Sequence, residues 1–278
     1  MTDQIQYLKK IFRQHHLRPS KLRGQNFLIN PDVVNELVKL AEIKSGDSVL
    51  EIGPGLGILT KEISQKAKSV WAVEVDKGLA SVLPKIMSDY PNVKIIPGDA
   101  MKLQGSLAKT LPASYKVVAN LPFSITSHFL RQYLETDKRP TDMTLIVQKE
   151  LGDRICAPPG QMSLISVAVQ FYGRPTICEL VSHQNFWPQP KVDTAIMRID
   201  QIGQGYSAKI YQSEIQRFWQ IVRIGFSARR KQLKNNLKAG LKIDSAQIVK
   251  IMHKIGLNEQ IRAQDLTIDQ WLKLAKGF

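Results

Sequence analysis

"VLEIGPGLGILTKEI", residues 49–63, runs from an apolar strand through three closely spaced glycines into a helical period. Glycine at such a turn reaches positive φ without steric cost and lets the backbone come close to a ligand. Gly53, Gly55 and Gly57 therefore read as a strand-to-helix loop that cradles a small molecule. The dinucleotide fingerprint is G-x-G-x-x-G, whereas the spacing here is G-x-G-x-G with Glu51 two residues before the first glycine. A pyrophosphate is not the obvious guest of such a loop.

The same step recurs outward from it. "NPDVVNELVKLAE" opens a helix with Asn30 as N-cap and Pro31 at its first position. "DSVLEI", "SVWAVEVD", "NVKIIPGD", "YKVVAN" and "DMTLIVQ" follow as short strands with helix-length connections. This alternation predicts an α/β fold, a parallel sheet with helices on both faces. After residue 172, "PTICELVS" and "TAIMRID" predict an antiparallel pair closing the sheet edge, and "QIGQGYSA" reads as a linker. Two domains are expected, 1–202 for the sheet and 203–278 for a small helical domain.

The 278 residues carry 39 Lys and Arg against 24 Asp and Glu, a formal charge of +15, which points to a polyanionic partner and most simply to nucleic acid. Residues 203–278 hold 14 Lys and Arg against 5 Asp and Glu, so +9 of the excess lies at that end. "SEIQRFWQIVRIGFSARRKQLKNNLKAGL" (213–241) has helical periodicity, with Leu233 and Leu237 on one face and Arg230, Lys234 and Lys238 at i, i+4 spacing on another. Like charges so spaced repel unless neutralised, which favours phosphate contact by Arg229, Arg230, Lys231, Lys234 and Lys238. No apolar run approaches the roughly 18 residues of a membrane span, and the N-terminus has no secretory core, so a cytoplasmic location is expected. Cys156 and Cys178 have no metal-binding spacing and suit a reducing compartment. No metal is expected, and a monomer is.

Acids at three successive strand ends, Glu51, Glu74 and Asp99, beside the glycines make a nucleoside site the economical account. Glu74 can accept from both ribose hydroxyls, and Asp99 stands within reach of an adenine amine in this layout. An adenosyl group without pyrophosphate points to S-adenosylmethionine, whose methyl transfer needs only positioning. "NLPF", residues 120–123, then supplies the second substrate's contacts. The Asn120 side-chain oxygen and the Leu121 carbonyl can accept the two hydrogens of an exocyclic amine and aim its lone pair. Phe123 gives a flat face for a flipped base, a stack worth roughly 1–3 kcal/mol. Phe186, in the Pro-framed "NFWPQPKVD", is the expected second ring.

"GQNFLIN", "VLEIGPGLGILT", "VWAVEVD", "GDA", "NLPF", "NFWPQPKVDTA" and "FSARRKQLKNNL" stand in the order and spacing of the ribosomal RNA adenine dimethyltransferases. Over residues 20 to 240 the chain resembles that family. The resemblance implies a Rossmann-like class I methyltransferase domain and a small helical C-terminal domain. It also implies transfer of two methyls to N6 of each of two adjacent adenosines, in the hairpin near the 3′ end of small-subunit ribosomal RNA, within an assembling subunit. It places cofactor contacts on Asn26, Leu28, Gly53, Glu74, Asp99 and Asn120, with Gly55 in the same loop. Phe123 stands where the family usually has Tyr, which keeps the stacking face and gives up a hydroxyl. Two alternatives remain open at this point: a large-subunit adenine methyltransferase of the erythromycin-resistance type, which shares the fold, and a nonenzymatic RNA-binding assembly factor.

Overall fold

The structure, a computed structural model, describes residues 2–20 and 23–278. In chain order its elements are α1 (Thr2–Gln14), β1 (Phe27–Leu28), α2 (Pro31–Leu40), β2 (Ser48–Ile52), α3 (Ile58–Ser64), β3 (Ser69–Glu74), α4 (Lys77–Ile86), β4 (Val93–Pro97), α5 (Ala100–Thr110), β5 (Lys116–Asn120), α6 (Thr126–Leu134), β6 (Asp142–Gln148) and α7 (Lys149–Ile155). There follow α8 (Leu164–Tyr172), β7 (Arg174–Val181), β8 (Phe186–Trp187), β9 (Thr194–Asp200), α9 (Gln212–Gly225), α10 (Leu233–Leu241), α11 (Ser245–Lys254) and α12 (Ile268–Gly277).

Seven of the described strands form one sheet in the order β4-β3-β2-β5-β6-β9-β7. β2 pairs in parallel with β3 and β5, β3 with β4 and β5 with β6, while β9 runs antiparallel to β6. The five expected parallel strands all form, because β2 and β6 are apolar enough to be buried on both faces. The strand order reverses beside β2. In such sheets a ligand binds at that crevice, beyond the carboxyl ends of the strands. Asn30 caps α2 by accepting from the Asp32 N–H, with Pro31 at the first helical position as expected.

The chain divides into two compact units, one of residues up to Gly152 with Thr176–Ile202, the other of Asp153–Pro175 with Gly203–Phe278. This corrects the expected boundary for residues 153–175. α8 is apolar around most of its circumference, and its Phe171 stacks on Phe218 of α9, with ring centroids 4.5 Å apart. The segment therefore belongs with the helices that bury it, although it precedes two strands of the sheet in sequence. The long helix expected over 213–241 is also two helices. Asn236, buried, donates from Nδ2 to the Gly225 and Ala228 carbonyls, and the Leu233 N–H donates to the Ile261 carbonyl. Those bonds hold the turn at 226–232 and start α10 at Leu233; Leu233 and Leu237 face inward, fully buried. Among the described residues no helix is long and apolar enough to cross a membrane.

Candidate functional site

A cleft of about 820 Å³, counted out to open solvent, lies where β2, β3 and β5 end. Gly53, Gly55, Glu51, Glu74, Val75 and Asn120 line it, as do Asn26, Leu28, Leu121 and Phe123. Apart from Gly57, which is not in its lining, the residues named from "GQNFL", the glycine loop and "NLPF" thus meet in one place, though they are up to about 100 positions apart in the chain.

The glycine loop is shaped by its neighbours. Gly55 has φ +60°, and a Cβ there would stand 2.9 Å from the Phe27 ring, so the loop can lie against β1 only without a side chain. Glu74, 3% exposed, accepts from the Gly55 N–H through Oε2 at 3.0 Å and from the Asp76 N–H through Oε1 at 2.8 Å. Burial raises its pKa and the two backbone donors partly oppose that rise. Each carboxylate oxygen keeps acceptor capacity for a diol. Glu51, 1% exposed, is more unusual: its Oε2 has no hydrogen-bond partner, and burial, reinforced by the Glu74 charge, pushes its pKa up to about 8. The nearby Thr60 hydroxyl, itself without a partner in good geometry, counters this only in part.

Asn120 is oriented by the "GQNFL" segment. Its Nδ2 donates to the Asn26 carbonyl at 2.8 Å. A carbonyl can only accept, so the amide nitrogen must face Asn26, and the side-chain oxygen is left to accept from something else. Asn120 and Phe123 are half-buried; the Leu121 side chain is buried in the fold.

Two expected site residues are not in this cleft. Phe186 is 1% exposed and packs in the sheet domain's core with Leu28, Val34 and Ile196, so it is not a second stacking ring. β8 pairs antiparallel with β1, Leu28 opposite Phe186 and Phe27 opposite Trp187. The "NFW" stretch thereby anchors "NFL", with the Ile29 N–H donating to the Asn185 carbonyl and Asn30 Nδ2 to Asn185 Oδ1. Asp99 lies outside the cleft lining and caps α5, accepting from the Met101 N–H at 2.9 Å. Conversely, Val75 lines the cleft and was not among the residues named for the ligand. Val75 is 44% exposed immediately after Glu74, an apolar surface at the cleft. An exposed valine at a strand end was its only signal.

In the second unit, Arg229, Arg230 and Lys231 are exposed on the turn before α10, and Lys238 is exposed in its last turn. The expected i, i+4 stripe is not formed: Arg230 precedes the helix, and Lys234 is neutralised by Glu259 at 2.8 Å. Among the described residues no cluster of His, Cys, Asp and Glu could hold a metal ion.

Residues 17–278 match the family described as ribosomal RNA adenine dimethylase. The chain is 38% identical over 276 residues to the ribosomal RNA small subunit methyltransferase A of Dehalococcoides mccartyi, covering 97% of this chain and 92% of that one. It is 35% identical to the protein of the same name from Alkaliphilus oremlandii, covering 97% and 95%. Among solved structures it is similar to the 23S rRNA methyltransferase ErmE, with a TM-score of 0.73 at 25% identity over 91% of this chain and 99% of that one. A dimethyladenosine transferase from Plasmodium falciparum shares the fold, with a TM-score of 0.74 at 24% identity over 88% and 94%. The glycine loop, the oriented Asn120 and a match over nearly the whole chain agree, and the chain belongs to the ribosomal RNA adenine dimethylase family.

Proposed function

We propose that this chain transfers methyl groups from S-adenosylmethionine to N6 of adenosines in small-subunit ribosomal RNA, dimethylating two adjacent ones in the 3′-terminal hairpin. The observation that carries the reading is the fixed orientation of Asn120, with its oxygen held free beside the glycine loop by the Asn26 carbonyl. The cofactor's donor set fits the cleft: a buried carboxyl with an unpartnered oxygen for a cationic group, a second carboxylate for a diol, and an exposed Val75 for a purine face.

When bound, S-adenosylmethionine supplies an electrophilic methyl on a sulfonium. The rest belongs to the chain. Glu74 and Glu51 hold the ligand's polar ends, and Gly55 admits its close approach. The Asn120 oxygen and the Leu121 carbonyl accept the hydrogens of the target amine. That draws the nitrogen toward tetrahedral geometry and frees a lone pair otherwise delocalised into the ring. Phe123 offers its face to the unstacked base. Asn120 is not a general base, and none is required, because the amine becomes strongly acidic only as the new bond forms. The exposed Arg229, Arg230, Lys231 and Lys238 meet phosphates, which position the RNA without reading its sequence. The chain works on this reading as a cytoplasmic monomer on assembling subunits.

Relatives 35–38% identical and named for the small subunit favour that substrate over the large-subunit RNA named for ErmE. The test is labelled-methyl transfer to small and large subunits from a strain lacking the endogenous enzyme. Label in small-subunit RNA alone is expected; label confined to large-subunit RNA, or none, contradicts the proposal.

A further inference from the structure

α1 lies outside the family match, which begins at residue 17, and neither the cofactor cleft nor the cations before α10 involve it. Between Gln4 and Arg23 the sequence has six Lys and Arg and no Asp or Glu. Burial of Leu8 and Phe12 against Ile29, Leu56 and Leu79 fixes α1 on the sheet unit. The Phe12 ring meets Phe27 edge-on at 5.3 Å and Trp187 at 5.6 Å. With that stripe turned inward, helical periodicity turns Lys9, Lys10 and Arg13 outward, and all three are exposed. Lys9 and Arg13 stand four residues apart, and among the described residues none of the three makes an ion pair. Like charges at that spacing cost helix stability in the absence of a counter-ion. Tyr7, 41% exposed, lies off this face, beside Pro31 and Asn35 of α2.

The basic surface continues toward the cleft. The chain leaves α1 through exposed Arg18, with Leu17 packed over Gly78 at the start of α4, and reaches Arg23, which lines the cleft and pairs with Asp76. α1 and the cleft belong to one unit, so the cations hold a fixed relation to the target amine.

We infer that the outer face of α1, formed by Lys9, Lys10 and Arg13, is a second RNA-binding surface. It grips the phosphate backbone next to the target nucleotide and steers the strand past Arg18 toward the cleft. The inference rests on the proposed RNA substrate. A membrane surface is the competing polyanion, but an interfacial helix needs its apolar face free, and here that face is buried in the protein.

The test is the full-length triple variant Lys9→Gln, Lys10→Gln, Arg13→Gln beside wild type, with small-subunit RNA affinity measured from 50 to 200 mM salt. Three phosphate contacts at roughly 0.7–0.9 slope units each predict that wild type loses about 20- to 40-fold more affinity over that range than the variant. S-adenosylmethionine affinity by calorimetry stays at the wild-type value, and transfer shows a raised KM for RNA with kcat retained. An unchanged slope, while wild type itself binds with strong salt dependence, overturns the inference and leaves the proposed function standing. Absence of salt-dependent RNA binding by wild type overturns the proposed function instead. Loss of sedimentation with acidic phospholipid vesicles, with RNA binding intact, would assign α1 to a membrane and overturn the inference. Should the triple variant lose its helical circular dichroism, Lys10→Glu, a single change facing solvent, carries the same readout.

Discussion

Glu51 is buried with one oxygen unpartnered, and its folded pKa of about 8 stands above its ordinary 4.5. The folded state therefore holds a proton that the unfolded chain gives up, so the stability tied to that proton is full below pH 4.5 and is lost as pH rises toward about 8. Glu51→Gln removes the titration. Thermal melts should show the variant gaining on wild type between pH 5 and 8.5; parallel curves would mean that Glu51 is ionised in the folded protein throughout. Glu74 acts differently, because backbone donors already hold its carboxylate. Glu74→Ala removes a charged acceptor, and S-adenosylmethionine affinity should fall by roughly 10- to 100-fold, from about 1.5–3 kcal/mol per charged hydrogen bond. RNA affinity should stay near wild type, and calorimetry with each ligand separates the two effects. Glu74 is legible in the sequence because a carboxylate ending the second parallel strand has few other uses in this architecture. Asp99 fits the same rule and is a helix cap, since a short acid before a helix serves its own backbone equally well.

Among the elements, the periodic ones were legible and the joints were not. Five parallel strands follow from their apolar runs, whereas the break between α9 and α10 depends on Asn236 reaching carbonyls 8 and 11 residues away, a bond that no local pattern announces. The pairing of β1 with β8 was equally hidden, because two-residue strands carry no alternation. Phe186 is accordingly an anchor for β1. Phe186→Ala should cost about 3–5 kcal/mol of stability, as truncation of a buried Phe generally does. It should weaken cofactor binding through Leu28 and Asn26, while Phe186→Leu recovers most of both. Normal stability with a selective fall in kcat would return Phe186 to the role of a stacking ring. At the turn before α10, replacing Arg229, Arg230 and Lys231 by Gln should reduce the salt slope of RNA binding by roughly 0.7–0.9 for each phosphate that is no longer neutralised. Lys234→Gln should change it little, because Glu259 already neutralises that cation.

For the molecule as a whole, composition announced a polyanionic partner and the motif order announced the chemistry, but the partition of the chain was legible only in part. Residues 153–175 look like a continuation of the βα series by spacing; their apolar α8 is claimed by Phe218 and Trp219, which lie about 50 residues further on. If chemistry is confined to the cleft and much of the grip on RNA lies on exposed cations elsewhere, as proposed, the two should separate in one variant. Asn120→Ala removes the acceptor and should leave those cations untouched. The most direct measurement is a mass-spectrometric time course of mono- and dimethyladenosine in small-subunit RNA, with wild type and folded Asn120→Ala at saturating S-adenosylmethionine. RNA binding should stay close to wild type while the first transfer slows by about 10²–10³, the effect of removing one preorganised polar contact. The second step should change by a different factor, because monomethyladenosine has a single amine hydrogen left to accept. Near-wild-type rates for both steps would contradict the role given to Asn120, and "NLPF" would then be a turn and nothing more.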